Sequence, residues 1–567
     1  MLERPYTGNQ NSKENKLYKK FDKEINKFVK LYLNNYTPSG YDRSKVIHDP
    51  VWGTTLFYQW ELEILDSPLL QRLRNISQLG LAMLTYPSAH HTRFEHTLGV
   101  MSVVTKMVNH INQEAVTPII DNEDFYTLRL AALLHDVGHC FCSHLSEAIY
   151  GKLNEFVNLK KSFNIFQAAK EHEILAYIII NTKEFKTFVK EKVNFWKTVI
   201  DVDKMCIEIG YMIIGAELPY KEEQQGGYEK KYYLTQIING QYDADKLDYL
   251  RRDSYTAGLA LTYDIDRFLY KIRIANKEEE IDGKRIRGKH LVIPISGVSA
   301  VEEMAFSQLM LASYIYQHQK VLATDALIQD VVEALARNNK LLHPWDFLYY
   351  CDNDILGIYS ENPDNDFKIS IATKTFNSCS KKVMADIVKR IKNRELPKRA
   401  FTVNYSTVIK DPIQKQYRVS DIADRLKKIV ELREEICTVS NEISDLVPKN
   451  LGGKQLIDLY DILISIPKTS IAKDLSNALV MTNSGKFVSL SEIVRLSDWA
   501  DAFAWHKWSA YVFSKVEILP IVSIASKIVF ERHQIKFDDD TVFSSIRCSE
   551  KIKEIIQMLK DNQKYPS

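Results

Sequence analysis

Several histidines and aspartates of the chain form a pattern that could hold a divalent metal ion. His96 lies in the segment HTRFEH, His135 and Asp136 lie in HDVGHCFCSH, and Asp245 lies in DADKLDY. Imidazole and carboxylate ligands suit Mn, Mg, Fe, Zn or Ni, whereas thiolates would select softer metals. Because such an ion keeps positions open for water and substrate, it could activate water against a phosphate ester. These four residues are the predicted metal ligands.

Each of these residues also has a structural interpretation. His96 on an apolar-flanked helix is commonly a satisfied structural histidine, and His135 with Asp136 could simply end the helix that contains LRLAALL. However, His139 and His144 follow within ten residues. An uncompensated buried polar group costs roughly 2–7 kcal/mol, so this clustering favours a shared ligand.

Three histidines are candidates for proton transfer: His139, His144 and His172. Histidine titrates near neutral pH, as general acid–base chemistry requires. His144 and Glu147 stand three residues apart on a predicted helix, so the carboxylate could orient the imidazole. His172 opens an apolar helix between two glutamates, and a solvated helix start is the alternative interpretation for it.

One face of a predicted helix over 243–253 combines further groups of this kind. Asp245, Tyr249 and Arg252 follow one another at helical spacing, with Lys246 and Asp253 beside them. This face therefore offers a metal ligand, cations for phosphate and an aromatic ring for a sugar or base.

The composition is that of an ordinary globular protein, with 45% hydrophobic and 26% charged residues in 567. The net charge of +2 excludes a strongly basic nucleic-acid binder. Seven scattered cysteines fit a reducing compartment better than a disulfide framework. The N-terminus lacks a signal-peptide core, and the apolar stretch 516–529 is interrupted by charges and a proline. We therefore expect a cytoplasmic protein without a membrane segment.

The hydrophobic periodicity predicts a mainly α fold. Asp66-Ser67-Pro68 predicts a turn that starts a helix, and the segment 281–285 predicts a small β-hairpin. Other predicted helices cover 95–111, 124–137, 171–182, 194–215, 304–336 and 421–447. The predicted organisation is an N-terminal appendage over 1–44, a helical core over 45–335, a helical extension over 336–410 and a C-terminal helical region over 411–567.

Six stretches between about Lys45 and about Ala400 match one family: DSPLLQRLRNISQLG, HHTRFEHTLGV, HDVGHCFCSH, KEHE, DADKLDYLRRD and YIYQHQKV. In these the chain resembles the HD-domain deoxynucleoside triphosphate triphosphohydrolases. No SAM domain, which some members carry, is expected here. The resemblance implies an HD-domain helical core and a metal-dependent attack on the α-phosphorus. The implied products are a deoxynucleoside and inorganic triphosphate.

The resemblance also implies roles for individual residues. The matched metal ligands are His96, His135, Asp136 and Asp245. The matched groups that hold the triphosphate and close over the sugar are Arg93, Lys246 and Tyr249. The groups around the scissile phosphate are His139, His144 and His172, with His144 as the acid for the leaving 5′ oxygen. The residues that match the sugar and base positions are Gln78, Leu79, Asp253, Tyr316 and Gln317.

One position departs from the family pattern. Gln308, eight residues before Tyr316, stands where the family has an arginine. A phosphate contact is therefore lost, or it is replaced by Arg273 or Lys320. Weaker triphosphate binding or a different number of phosphates is an open alternative.

The resemblance further implies an activator site for a guanine nucleotide. Its matching residues are Lys45, Asp66, Gln71, Arg74, Arg394 and Lys398, although a surface ion-pair cluster would explain them too. An adjoining second site is less well matched at His48, Pro294, Ser296 and Ala300, while Asp264 and Arg267 are kept. We expect a simpler activation scheme in a homo-oligomer, a tetramer or a dimer of dimers.

Two other functions stay open. One is an HD phosphohydrolase that acts on another nucleotide, such as a cyclic dinucleotide, a ribonucleotide or a signalling nucleotide. The other is a nucleotide sensor that controls a protein partner through residues 400–567. For a deoxynucleotide hydrolase, both nucleotide-pool balance and defence against phage replication are open roles.

Overall fold

The computed structural model describes fourteen stretches of the chain. They are 13–113, 115–193, 201–218, 222–224, 227–261, 263–281, 284–338, 343–356, 386–408, 419–429, 431–469, 474–537, 542–543 and 546–562. Predicted features at 194–200 and 282–283, and much of the predicted extension over 336–410, lie outside these residues. The described chain is mainly α, as predicted, and forms two compact units.

The first unit spans Met1–Gln308, Asn339–Thr373 and Asp474–Val494. Its described helices include α1 Lys13–Leu33, α2 Gln59–Leu65, α3 Pro68–Gln71, α4 Arg93–Gln113, α5 Asn122–Leu134, α6 His144–Tyr150, α7 Asn154–Ser162, α8 Glu171–Asn181, α9 Lys183–Lys192, α10 Val202–Ile213, α11 Tyr232–Ile238, α12 Ala244–Thr256, α13 Ile265–Lys271, most of α14 Val298–Leu311, and a short helix at Asp352–Leu356. Helix α4 packs against both α5 and α12, and α8 packs against α10. Pro68 occupies the first turn of α3 after Ser67, so the predicted helix start is confirmed.

The strands of the first unit form two sheets. Strands β1 Lys45–Asp49 and β2 Gly53–Phe57 form an antiparallel pair. The larger sheet contains β3 Glu222–Gln224, β4 Gly227–Lys231, β5 Arg273–Ile281, β6 Lys284–Pro294, β9 Leu479–Met481 and β10 Phe487–Ser489. Strands β5 and β6 pair antiparallel from Arg273↔Val292 to Ile281↔Lys284, so the predicted hairpin is confirmed and is longer than expected.

The second unit spans Leu309–Asn338, Lys374–Lys473 and Arg495–Ser567. Its helices include α15 Gln319–Asn338, Val419–Lys428, Leu432–Leu446, Leu496–Lys507, Leu519–Arg532 and Ser549–Asp561. A three-stranded antiparallel sheet, in the order β7 Lys398–Val403, β11 Ala510–Ser514 and β8 Ile462–Ser465, packs with these helices. The C-terminal region predicted as helical therefore contains strands as well.

Two predicted long helices are each divided. The helix predicted over 304–336 is interrupted by a π turn at Ala312–Tyr316, where Gln317 N donates to Ala312 O at 2.7 Å. The helix predicted over 421–447 is divided at Glu431, which has a positive φ of 61°. Neither break contains glycine or proline, so composition gave no signal for it.

Helix α1 contributes a fully buried face to the first unit. Phe21 and Phe28 have no exposed surface. Phe21 packs edge-on against Trp345 at 4.9 Å between ring centroids, and Phe28 packs against Tyr349 at 5.2 Å. None of the described helices combines the length and apolar character needed to cross a membrane.

The packing of α1 makes a prediction for Phe28→Ala. Truncation of a buried phenylalanine should cost about 3–5 kcal/mol and lower the melting temperature measured by calorimetry. Lys30→Ala, at an exposed position of the same helix, is the matched control. Equal melting temperatures for Phe28→Ala and Lys30→Ala would contradict this prediction and would indicate that residues 1–44 are an appendage that does not stabilise the first unit.

Candidate metal centre

The four predicted metal ligands lie together in the first unit. His96 is on α4, His135 and Asp136 directly follow α5, and Asp245 is on α12. His96 Nε2 lies 3.3 Å from His135 Nε2 and 2.9 Å from Asp245 Oδ1. His135 Nε2 lies 3.3 Å from Asp136 Oδ1. Three helices that are distant in sequence thus bring two imidazoles and two carboxylates to one point.

The second nitrogen of each imidazole has its own acceptor. His96 Nδ1 bonds Asp248 Oδ2 at 2.7 Å, and His135 Nδ1 bonds Ala132 O at 2.7 Å. Because a carboxylate and a carbonyl oxygen only accept, both Nδ1 atoms are donors, and the two Nε2 atoms face each other as the positions available to a metal ion. Two imidazole nitrogens beside two carboxylates fit a divalent cation. Burial lowers the pKa of His96, but Asp245 and Asp248 outweigh it and raise this pKa to about 10, so a bound cation would replace a proton on His96.

Asp248 is a functional residue that the sequence analysis did not single out. It is fully buried, and it accepts from Arg252 Nε at 2.8 Å and Nη2 at 2.9 Å as well as from Trp52 Nε1. A Cβ on Gly99, one turn after His96, would lie 1.9 Å from Asp248 Oδ1. Glycine at this position therefore lets α12 approach α4. The available signal was the spacing of Asp248, one helical turn after Asp245.

The second cluster consists of the predicted proton-transfer residues. Glu147 bridges two imidazoles: its Oε2 lies 2.6 Å from His144 Nδ1, and its Oε1 lies 2.9 Å from His172 Nδ1. The rings of His139 and His172 stack with centroids 3.8 Å apart. Burial raises the pKa of Glu147, but His172 and His144 lower this pKa by more than burial raises it. The net effect is a lowered pKa, which keeps this carboxylate ionised. The predicted pairing of His144 with Glu147 is present, and Glu147 contacts both rings through Nδ1, so neither Nε2 is used in these contacts.

The turn before α6 holds this cluster against the rest of the site. Cys142 and Ser143 both adopt positive φ, at 51° and 50°, a conformation that costs of order 1–3 kcal/mol per residue. Asp352 accepts from Cys142 N at 2.6 Å and from Ser77 N at 2.9 Å. Arg93 Nε donates to Ser143 Oγ at 3.0 Å. Asp352, which the sequence analysis also missed, therefore compensates the strained turn.

Comparison with known proteins agrees with this geometry. Residues 93–251 match the model of the HD domain, which contains all four predicted ligands. The chain carries an HD domain. Residues 264–536 match the model of the HD associated region that accompanies such domains.

Relatives of this HD-domain protein include characterised and uncharacterised members. It is 32% identical over 289 residues to the uncharacterized protein MJ1154 of Methanocaldococcus jannaschii, covering 51% of this chain and 49% of the relative. It is 28% identical over 298 residues to deoxynucleoside triphosphate triphosphohydrolase SAMHD1 of Bos taurus, covering 51% and 47%. The SAMHD1 of Homo sapiens is 26% identical over 306 residues, covering 53% and 46%. The chain spans about half the length of these relatives, and the resemblance read from the motifs is confirmed.

Most of the residues predicted to bind substrate lie in the first unit beside the ligands. Arg93 Nη1 donates to Asp136 Oδ2 at 3.0 Å, and Lys246 Nζ donates to Asp243 Oδ2 at 2.8 Å. Tyr249 is on α12, one turn after Asp245. Gln78, Leu79 and Asp253 are also in this unit. The predicted base-side residues Tyr316 and Gln317 end the π turn in the second unit, where Gln317 Nε2 donates to Lys468 O at 3.0 Å.

The predicted activator residues are divided between the two units. In the first unit, Lys45 Nζ lies 4.0 Å from the centroid of the Tyr41 ring, and Asp66 accepts from the Tyr41 hydroxyl. Arg74 Nε donates to Gln71 Oε1 at 2.7 Å. The remaining two, Arg394 and Lys398, belong to the second unit. The activator site as a whole stays a prediction.

Because the Asp248 carboxylate accepts from His96 Nδ1, we expect the Asp248→Asn variant to bind metal more weakly. The substitution keeps the shape but removes the charge that fixes the His96 tautomer, so Mn²⁺ affinity should fall about 10–100-fold. Titration calorimetry with Mn²⁺ measures this change. Asp266→Asn, at an exposed position on α13, is the matched control. Equal Mn²⁺ affinity in the two folded variants would contradict the assigned metal centre.

Proposed function

We propose that this HD-domain protein is a metal-dependent phosphohydrolase acting on deoxynucleoside triphosphates, with a deoxynucleoside and inorganic triphosphate as products. The observation that carries the proposal is the meeting of His96, His135, Asp136 and Asp245, with the Nε2 atoms of the two imidazoles 3.3 Å apart. The similarity to SAMHD1 enzymes supports the choice of substrate. A nucleotide sensor would not need the acid–base cluster around Glu147.

The roles of the chain's own residues follow from their chemistry. A bound divalent ion, held by the four ligands, would lower the pKa of a water molecule and polarise a phosphoryl oxygen. His144, whose side chain is 60% exposed, is oriented by Glu147 and would protonate the leaving 5′ oxygen. Arg93 and Lys246 would balance the charge of the phosphates.

Selection of the sugar and base is assigned to a separate set of side chains. Gln78 and Asp253 would bind the 3′-hydroxyl, and Leu79 with Tyr249 would crowd the 2′ position and so favour deoxyribose. The base-side roles of Tyr316 and Gln317, which belong to the second unit, stay predictions.

Regulation by a guanine nucleotide and assembly of copies are part of the proposal. Asp66 would accept from the guanine edge once the Tyr41 hydroxyl has left it, while Lys45, Arg74, Arg394 and Lys398 would hold phosphates. Such a site between copies implies a tetramer or a dimer of dimers. Residues 411–567 would be available to a protein partner.

A product assay tests the proposed reaction. Purified protein is incubated with Mn²⁺ or Mg²⁺ and each deoxynucleoside triphosphate, with and without GTP, and the products are separated by ion-exchange chromatography. Inorganic triphosphate is the expected product, and its formation should be lost in the His135→Ala, Asp136→Ala double variant. Release of pyrophosphate or monophosphate, or turnover of ribonucleotides alone, would contradict the proposal.

One observation favours a second candidate, hydrolysis of a nucleotide with fewer phosphates. Gln308 Nε2 donates to the Tyr249 hydroxyl at 3.0 Å, so a neutral amide stands where the family has a cation. Arg273 is no evident substitute, because its Nη1 donates to the backbone oxygens of Tyr270 and Ile272 at 2.5 and 2.8 Å. Lys320 belongs to the second unit.

The variant Gln308→Arg separates the two candidates. If the substrate is a triphosphate, the added cation should lower its KM about 10–100-fold, as expected for one charge-assisted hydrogen bond. Steady-state kinetics compares this variant with Gln308→Met, which removes the amide without adding charge. A KM for triphosphates that stays equal or rises in Gln308→Arg would favour the substrate with fewer phosphates.

A further inference from the structure

The loop that carries Gln78 is joined by backbone hydrogen bonds to the segment just before α4. Ser77 and Thr92 form an isolated antiparallel bridge. On its two sides, Gln78 N donates to His91 O at 3.0 Å and Arg93 N donates to Ile76 O at 2.9 Å. His91 is therefore fixed beside Gln78 by the main chain.

The side chain of His91 reaches a second element. Its Nε2 lies 2.8 Å from Oδ1 of Asp253 on α12, and both residues are buried, with 6% and 2% of their surface exposed. Because an imidazole N–H donates and a carboxylate oxygen accepts, the His91 Nε2–H is the donor in this contact. One residue thus connects Gln78 through its backbone and Asp253 through its ring.

Two polar side-chain atoms at this junction have no hydrogen-bond partner among the described residues. They are His91 Nδ1 and Gln78 Oε1, and both atoms are buried. Gln78 itself is 8% exposed. Buried polar groups without a partner are unfavourable, and a ligand hydroxyl, which has one donor and two acceptor lone pairs, would bring a polar partner to this junction.

We infer that His91 is a positioning residue that fixes Gln78 and Asp253 relative to each other, so that together they recognise a ligand hydroxyl. The carboxylate of Asp253, fixed by the His91 ring, accepts from that hydroxyl, and the Gln78 side chain lies on the adjoining strand of the bridge. Naming the hydroxyl as the 3′-hydroxyl of a deoxynucleotide rests on the proposed function. A purely structural His91 would instead affect stability without changing the preference for this hydroxyl.

The test compares dATP with 2′,3′-dideoxy-ATP, which lacks only the 3′-hydroxyl. Dissociation constants are measured by calorimetry in EDTA, where metal-dependent turnover is prevented, and KM values are measured with Mn²⁺. The unaltered protein should prefer dATP by about tenfold or more, as expected for one hydrogen bond to a charged group. In His91→Phe this ratio should fall to about one, and His91→Gln, whose amide can donate to Asp253, should restore part of it.

The adjacent residue provides the matched control. His90 is exposed, so His90→Phe should keep the tenfold preference. If His91→Phe does not fold, His91→Asn, which is too short to span the same distance, replaces it and should lose the preference. An unchanged ratio in a folded His91→Phe or His91→Asn variant, or no preference in the unaltered protein, overturns the inference.

The same experiment keeps this inference apart from the proposed reaction. Hydrolysis of dATP and dideoxy-ATP with equal KM would refute the role of His91 and leave the phosphohydrolase intact. A preference for dATP that depends on His91, in a protein that releases no triphosphate, would refute the proposed reaction and leave the hydroxyl site intact.

Discussion

Two carboxylates and two imidazole nitrogens lie within a few ångströms of one another in the first unit, with His96, His135 and Asp136 buried and Asp245 partly exposed. Buried carboxylates are unfavourable without a compensating cation, which is a proton on His96 in the metal-free protein and would be a divalent ion in the metal-bound one. The surrounding elements keep the four groups together. Asp248 fixes His96 from one side, Ala132 fixes His135 from the other, and Arg93 contacts Asp136.

Close helix contacts make this arrangement possible. Gly99 allows Asp248 and Arg252 to lie against α4. At Gly138, a Cβ would lie 2.1 Å from His172 O and 2.5 Å from Ala176 N, so the turn after Asp136 rests directly on α8. The metal centre and the Glu147 cluster are therefore built on one rigid junction, which suits chemistry that requires a metal-bound water and a proton donor at fixed positions.

Local sequence predicted those features that depend on residue type and short spacing. The four ligand candidates, the pairing of His144 with Glu147, and the β5–β6 hairpin were all available from the sequence. The supporting contacts were not, because their partners are distant in the chain: 152 residues separate His96 from Asp248, and 162 separate His91 from Asp253.

The second unit shows a different limit of sequence reasoning. Strand β7 is buried from Ala400 to Val403 without alternation, so it gives no period-two signal. The π turn at Ala312–Tyr316 likewise contains no helix-breaking residue. Both features depend on tertiary packing that overrides local propensity.

The central claim is that one divalent ion is bound by two imidazoles and two carboxylates, and the most direct test is X-ray absorption spectroscopy of the metal-loaded protein. With one equivalent of Zn²⁺ or Fe²⁺, the account predicts two imidazole nitrogens and further oxygen ligands at about 2.0–2.2 Å, with no sulfur. A sulfur shell at about 2.3 Å, which would implicate cysteines, or a spectrum without imidazole scattering would contradict it.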